Sequence, residues 1–161
     1  MIRKAEEQDI PFLLDIYNEA ILNGTATFDL EPKTLEDRKQ WFYDHIETHP
    51  LLVCEKYEKA IAYASLSTYR EKKAYDGSVE LSIYIHKDYR GIGIGKQLME
   101  AILNLAKEID GIHTIISIIT AGNEVSDRLH EKFGFTYCGK IKEAGYKFGQ
   151  YCDINVYQIM V

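Results

Sequence analysis

The stretch SVELSIYIHKDYRGIGIGK, residues 78–96, changes its pattern half-way. In the first half Val79, Leu81, Ile83 and Ile85 point one way and Glu80, Ser82 and Tyr84 the other. That is a strand with one apolar and one less apolar face. The second half, Arg90-Gly91-Ile92-Gly93-Ile94-Gly95-Lys96, runs into a segment where Leu98, Ile102, Leu105 and Ile109 recur at helical spacing. The unit is therefore strand, glycine loop, helix. Glycines let backbone amides turn inward without Cβ atoms in the way, and the helix start adds a positive dipole end, so the loop suits a phosphate. Spacing excludes two common phosphate loops. GxGxxG fails because Lys96 stands in the sixth position from Gly91, and GxxxxGK[ST] fails at Arg90 and Gln97.

The same kind of reading extends outward. Upstream, Leu51–Lys56 and Lys59–Thr68 are strand-like runs joined by a polar turn at Tyr57-Glu58. Before them, Thr34 is placed to cap a helix bearing Leu35, Trp41, Phe42 and Ile46, with Asp37 as its capping-box partner. Ile10, Leu13, Leu14, Tyr17 and Ile21 mark a helix from Glu7 to Leu22 that Asn23-Gly24 ends, and Ile2–Lys4 is a short first strand. Downstream, His113–Thr120 is a continuous apolar strand, expected to be covered on both faces. Glu124–Phe133 reads as a short helix with Val125, Leu129 and Phe133 as its buried stripe, stopped by Gly134. Strands at about Phe135–Lys142 and Tyr151–Met160 close the chain around the turn Phe148-Gly149-Gln150. The order predicts one α/β (α+β) domain over residues 1–161, a mixed sheet with helices on its faces.

Composition narrows the function. The chain has 161 residues, 46% apolar and 27% charged, the balance of a water-soluble globule. A formal net charge of −6 disfavours wholesale nucleic-acid binding, so an anion site must be local. The 12 tyrosines lack the basic companions of a nucleic-acid platform. No apolar run reaches membrane-span length, and the start MIRKAEEQDI lacks the apolar core of a signal peptide. Cys54, Cys138 and Cys152 read as free thiols of a reducing cytoplasm. His45 and His49 stand i, i+4, but Ile46 occupies the glutamate position of HExxH. That pair is read as surface, and no metal is expected.

Arg90, Gly93 and Gly95 fit the pattern R/Q-x-x-G-x-G/A. Together with the preceding strand, this resembles the pyrophosphate loop of the GCN5-related N-acetyltransferase (GNAT) superfamily. Further segments resemble its phosphinothricin and methionine sulfoximine/sulfone acetyltransferase branch. They are Thr25-Ala26-Thr27-Phe28 with Glu31-Pro32, Ala74-Tyr75-Asp76, Val79-Glu80, Ser126–Phe135 and Ala144-Gly145-Tyr146-Lys147. The resemblance implies the GNAT fold, a mostly antiparallel central sheet with helices on both faces. It also implies acetyl-CoA as co-substrate, bound by Ile83, Tyr84 and Ile85 along the pantetheine arm, by Arg90 to Lys96 at the phosphates, and by Asn123 and Lys132. It makes Glu80 the general base, and it puts His130 where many members carry a tyrosine that protonates the leaving thiolate.

For the acceptor, the resemblance points to a small amine or amino-acid analogue. Arg70 and Lys72 would face its carboxylate, with Phe28 and Tyr75 as walls. A homodimer is the branch's habit. Where the branch often reads K-H-G-x-W-H-D, this chain has Lys147-Phe148-Gly149-Gln150-Tyr151-Cys152-Asp153, which leaves the choice among phosphinothricin, methionine sulfone or sulfoximine and other small amines open. Two other functions fit the same motifs: a non-catalytic acetyl-CoA sensor, and a protein N-terminal acetyltransferase, which would need a peptide groove.

Overall fold

The computed structural model describes all 161 residues. Seven strands and four α-helices follow in the order β1 (Ile2–Lys4), α1 (Ile10–Asn23), α2 (Leu35–Ile46), β2 (Leu51–Lys56), β3 (Lys59–Thr68), β4 (Ser78–Ile85), α3 (Ile94–Lys107), β5 (Thr114–Thr120), α4 (Glu124–Lys132), β6 (Thr136–Lys147) and β7 (Gln150–Met160). One sheet holds all the strands in the order β1-β2-β3-β4-β5-β7-β6. Every pairing is antiparallel except β4 with β5. The mixed, mostly antiparallel architecture is as expected.

Local chemistry explains the element ends. Thr34 Oγ1 accepts from the Asp37 amide at 3.1 Å and Asp37 Oδ2 accepts from the Thr34 amide at 2.9 Å, so two orphan donors at the start of α2 are satisfied reciprocally. A 3-10 turn at Glu7–Asp9 leads into α1 and shortens the helix expected from Glu7.

Alternation along β3 and β4 then sorts side chains to two cores. Leu66, Val79 and Leu81 pack with Leu98, Met99 and Ile102 of α3 on one face. Val53 and Tyr63 pack with Leu13 and Ile16 of α1 and Phe42 of α2 on the other. Glu80, Ser82 and Tyr84 share this second face by strand parity.

Four expectations change. The buried residue of α4 is His130, at 5% exposure, whereas Val125 is 81% exposed; Leu129 and Phe133 are only partly buried. β5 is not covered throughout: Ile115 and Ile119 are buried but Ile118 is 42% exposed. The strand expected at Phe135–Lys142 continues to Lys147, because two irregularities in register, near Gly139 and before Gly145, absorb the polar run that hides its pattern. His45 is also buried rather than on the surface. Its Nε2 lies 3.2 Å from the Pro50 carbonyl oxygen and its ring lies against Trp41. No three His, Cys, Asp or Glu side chains gather into a metal-binding group. No helix is long and apolar enough to cross a membrane.

Candidate active site

The parallel ladder between β4 and β5 is short. Ser78, Val79 and Glu80 pair with Thr114, Ile115 and Ile116, and there the pairing stops. β4 continues to Ile85 beside β3, and β5 to Thr120 beside β7, so a gap opens between them. The His86 amide donates to Ile61 O across to β3 at 2.9 Å. Alternation along the strand therefore turns the Ile83 and Ile85 amides the other way, into the gap. A sheet interior with free strand-edge amides can accept an extended ligand as an added strand.

Glu80 stands at the fork, the last β4 residue with a β5 partner. It is half-buried, and burial holds its carboxyl above the usual carboxylate range. No hydrogen bond or ion pair within the chain engages it, so its oxygens are free for an incoming donor.

Across the fork lies Ser117, the first β5 residue past the parallel ladder. Its Oγ is 2.9 Å from His130 Nε2, while His130 Nδ1 is 2.7 Å from the Ser126 carbonyl oxygen. A carbonyl only accepts, so Nδ1 carries the hydrogen; with burial lowering the His130 pKa, Nε2 is the acceptor for the Ser117 hydroxyl. His130 thus holds the hydroxyl that borders the gap and is itself nearly enclosed.

The glycine loop precedes α3. Gly91 and Gly93 take left-handed φ values of 77° and 89°, and a Cβ at either would meet nothing within 4 Å. The constraint there is conformational, not steric crowding. None of the amides from Gly91 to Lys96 donates to a backbone acceptor, and Gln97, bonded to Gly93 O at 3.2 Å, is the first that does. Six successive unclaimed amides at a helix N-terminus suit a pyrophosphate. The loop surface, including Ile92 and Lys96, is exposed, while Ile94 is buried.

Arg90 is already engaged: Nη2 donates to Glu19 Oε2 at 2.6 Å and Nε to Ile85 O at 3.1 Å. It braces the loop against α1. Asn123 caps α4, its side chain accepting from the Ser126 amide at 3.3 Å, and both Asn123 and Lys132 are exposed on the rim.

Among the residues expected to meet the acceptor, Phe28 lies against the backbone of Gly145 in β6. The preceding segment is tied down: Thr120 Oγ1 donates to Thr25 O at 2.5 Å, and the buried Lys147 Nζ donates to Thr27 O at 2.9 Å. Arg70, Lys72 and Tyr75 lie on an exposed loop, with the Arg70 guanidinium over the rings of Tyr69 and Tyr75 at 5.2 and 6.0 Å.

Sequence reading missed Arg38. It is buried under α2 and lines a cavity of about 460 Å³ with Ser65, Ser67 and Ser82. The signal was available: Arg38 shares one helical stripe with Leu35, Trp41 and Phe42, where an apolar residue is the rule.

Residues 13–135 match the acetyltransferase (GNAT) family. The chain belongs to the GNAT family. As a GNAT protein it is an acetyl-CoA-dependent N-acetyltransferase. An L-methionine sulfoximine/L-methionine sulfone acetyltransferase of Pseudomonas aeruginosa is 35% identical over 160 residues, 98% of this chain and 92% of that protein. A phosphinothricin N-acetyltransferase of Streptomyces coelicolor is also 35% identical, over 98% of this chain and 94% of its own length. Among solved structures, a phosphinothricin acetyltransferase of Sinorhizobium meliloti in complex with acetyl-CoA superposes with a TM-score of 0.96. It is 29% identical, covering 100% of this chain and 88% of that one.

Burial lowers the pKa values of His45, His49 and His130 below that of an exposed imidazole. The unfolded chain then binds more protons than the GNAT fold does as pH drops through the unfolded histidine value of about 6.5, so stability is lost on the acid side. The thermal midpoint is expected to fall between about pH 7.5 and 5.5, as read by circular dichroism. Glu80, whose raised pKa acts with the opposite sign, softens the fall at its lower end.

Proposed function

We propose that this chain moves an acetyl group from acetyl-CoA directly to the primary amine of a small amino-acid-like acceptor, of the phosphinothricin, methionine sulfoximine or methionine sulfone type, with Glu80 as general base. The observation that carries this reading is the half-buried, unpartnered Glu80 at the fork of β4 and β5, with its pKa raised by burial. An ammonium group is not a nucleophile until it loses a proton, and a carboxylate tuned upward is a better acceptor for it near neutral pH.

Acetyl-CoA supplies an acyl carbon on a thiol leaving group. Around it the chain's own groups have separate tasks. The amides of Gly91 to Lys96 hold the phosphates, with Arg90 as the brace behind them. Asn123 and Lys132 flank the cofactor at the rim. The strand Ile83-Tyr84-Ile85 aligns the pantetheine arm, and the Ile85 amide points at the thioester oxygen. Glu80 takes one proton from the acceptor's ammonium, directly or through a water. As the tetrahedral adduct collapses, the amine's second proton is released and the departing sulfur takes up one proton in exchange, at the end of the fork shaped by His130 and the Ser117 hydroxyl that its Nε2 holds. Arg70 and Lys72 face the acceptor's α-carboxylate, and Phe28 and Tyr75 wall the amine's approach.

The protein is proposed to work as a homodimer in the cytoplasm. Support for the dimer is the hairpin β6–β7, which exposes Tyr137, Ile141 and Tyr146 on the edge strand β6, Phe148 in the turn and Tyr151 at the start of β7. Support for a reducing compartment is that all three cysteines are free thiols.

The deciding experiment is a thiol-release assay with acetyl-CoA against a panel of amines. Turnover is expected on the amino-acid analogues above any peptide. Faster peptide acetylation makes the chain a protein N-terminal acetyltransferase, and cofactor binding with no turnover on any amine makes it a sensor.

A further inference from the structure

The buried Lys147 ammonium is met by a backbone carbonyl, Thr27 O, at 2.9 Å. Asp9, 2% exposed, accepts from both terminal nitrogens of Arg3 at 2.8 and 2.9 Å. Arg38, 4% exposed, is not answered. The chain's ion pairs use Arg3, Lys33, Lys39, His86, Arg90 and Arg128, and none uses Arg38. Its Nη2 donates to the Tyr63 hydroxyl at 2.6 Å, but its buried Nε donates to nothing. The guanidinium carbon lies 3.8 Å from the Trp41 ring centre and 4.6 Å from that of Tyr17. Aromatic faces fix a guanidinium in place and attract it, yet they satisfy no N–H and leave the charge unneutralised. A buried cation with an idle donor, lining a cavity large enough for an amino acid, is a site awaiting an anion.

The cavity also connects to the chemistry. Its floor is made by the cross-strand pairs Tyr63 with Tyr84 and Ser65 with Ser82, and by Ser67, whose partner across the ladder is Glu80. Glu80 closes one end of this row and Arg38 overlies the other. The two acids on the cavity wall are already used. Asp29 accepts from the Tyr17 hydroxyl and pairs with Lys33 at 3.8 Å, and Asp37 Oδ2 accepts from the Thr34 amide at the cap of α2.

We propose that Arg38 is the docking point for an oxyanion at the end of the acceptor opposite its amine, so that the enzyme favours acceptors with a charged terminal group over neutral isosteres. The serine hydroxyls of Ser65 and Ser82 line the path between the two ends. This rests on the acetyl-transfer reading and names the substrate class of that site.

The test uses a matched pair. Phosphinothricin ends in an anionic phosphinate and methionine sulfone in a neutral sulfone of similar shape, and both carry the same amine and α-carboxylate. In Arg38→Gln, the ratio of kcat/KM for phosphinothricin to that for methionine sulfone is expected to fall about a hundredfold, with Arg38→Lys intermediate and the thermal midpoint unchanged or raised. An unchanged ratio overturns the proposal. This includes the case where both substrates decline together, which would place Arg38 on the α-carboxylate or in a structural role.

Should the wild-type enzyme turn over neither amine, the acetyl-transfer reading fails separately, and calorimetric titration of phosphinothricin into the acetyl-CoA-free protein still decides. Binding that Arg38→Gln weakens about a hundredfold sustains the site. Binding indifferent to the substitution, or no binding to the wild type at millimolar concentration, removes it.

Discussion

Glu80→Gln is expected to lower kcat by about a hundred- to ten-thousand-fold, while acetyl-CoA still binds with nearly wild-type affinity. The amide is close to isosteric and neutral, so the fork of β4 and β5 keeps its shape. What it loses is the ability to hold a proton. The pH profile gives a second, independent reading. Burial raises the Glu80 pKa, so the acid limb of kcat/KM should lie above the ordinary carboxylate range, with activity lost as pH falls through it. That limb should vanish from the residual activity of Glu80→Gln. Full turnover at neutral pH in this variant would take Glu80 out of the mechanism.

Gly145→Ala should damage the proposed acceptor site through the contact of β6 with Phe28. A Cβ at Gly145 would sit 2.8 Å from Phe28 Cζ, and closer still to Cε2 and Cδ2. The ring must move, and β6 backbone is what it leans on. Overpacking of this kind costs about 1–3 kcal/mol, which should be visible as a lower thermal midpoint. With Phe28 as the proposed wall of the amine's approach, KM for the acceptor should rise well over tenfold while acetyl-CoA affinity holds. The double variant Phe28→Ala/Gly145→Ala separates the two effects. Removing the ring should recover stability, since the clash partner is gone, without recovering acceptor recognition.

Much of the fold could be read in advance because its signals are local. The alternation from Val79 to Ile85 and the glycines that follow need no tertiary information to mean strand, loop and helix. The capping box of Thr34 and Asp37 is equally self-contained. Misreadings fall where burial depends on what another element supplies. On α4 the apolar Val125 faces solvent and the polar His130 is buried, because Ser117 of β5 and the backbone of Ser126 give the imidazole two partners. A pattern counted in hydrophobic residues cannot register that exchange. The extension of β6 to Lys147 was hidden for a related reason: an edge strand needs no apolar face to be held by its neighbour's hydrogen bonds.

The site shows the same division. Glu80 and the Arg90–Lys96 loop are visible as motif. Arg38 comes from a helix whose composition looks solvated, and its importance appears only when Trp41, Tyr17 and Tyr63 close around it. Its neighbourhood is assembled from α1, α2 and β3, three elements that no short sequence window contains together.

The interrupted ladder of β4 and β5 has a thermodynamic consequence for the whole protein. Where the strands diverge, the sheet gives up backbone pairing in its interior, next to the core that α3 covers. In the proposed complex the pantetheine arm mends that seam. Acetyl-CoA then behaves as a folding ligand, adding about 2.7 kcal/mol at a concentration one hundred times its Kd. The fraction of intact protein would track the supply of acyl donor, so a lean supply would shorten the enzyme's lifetime as well as starve its reaction.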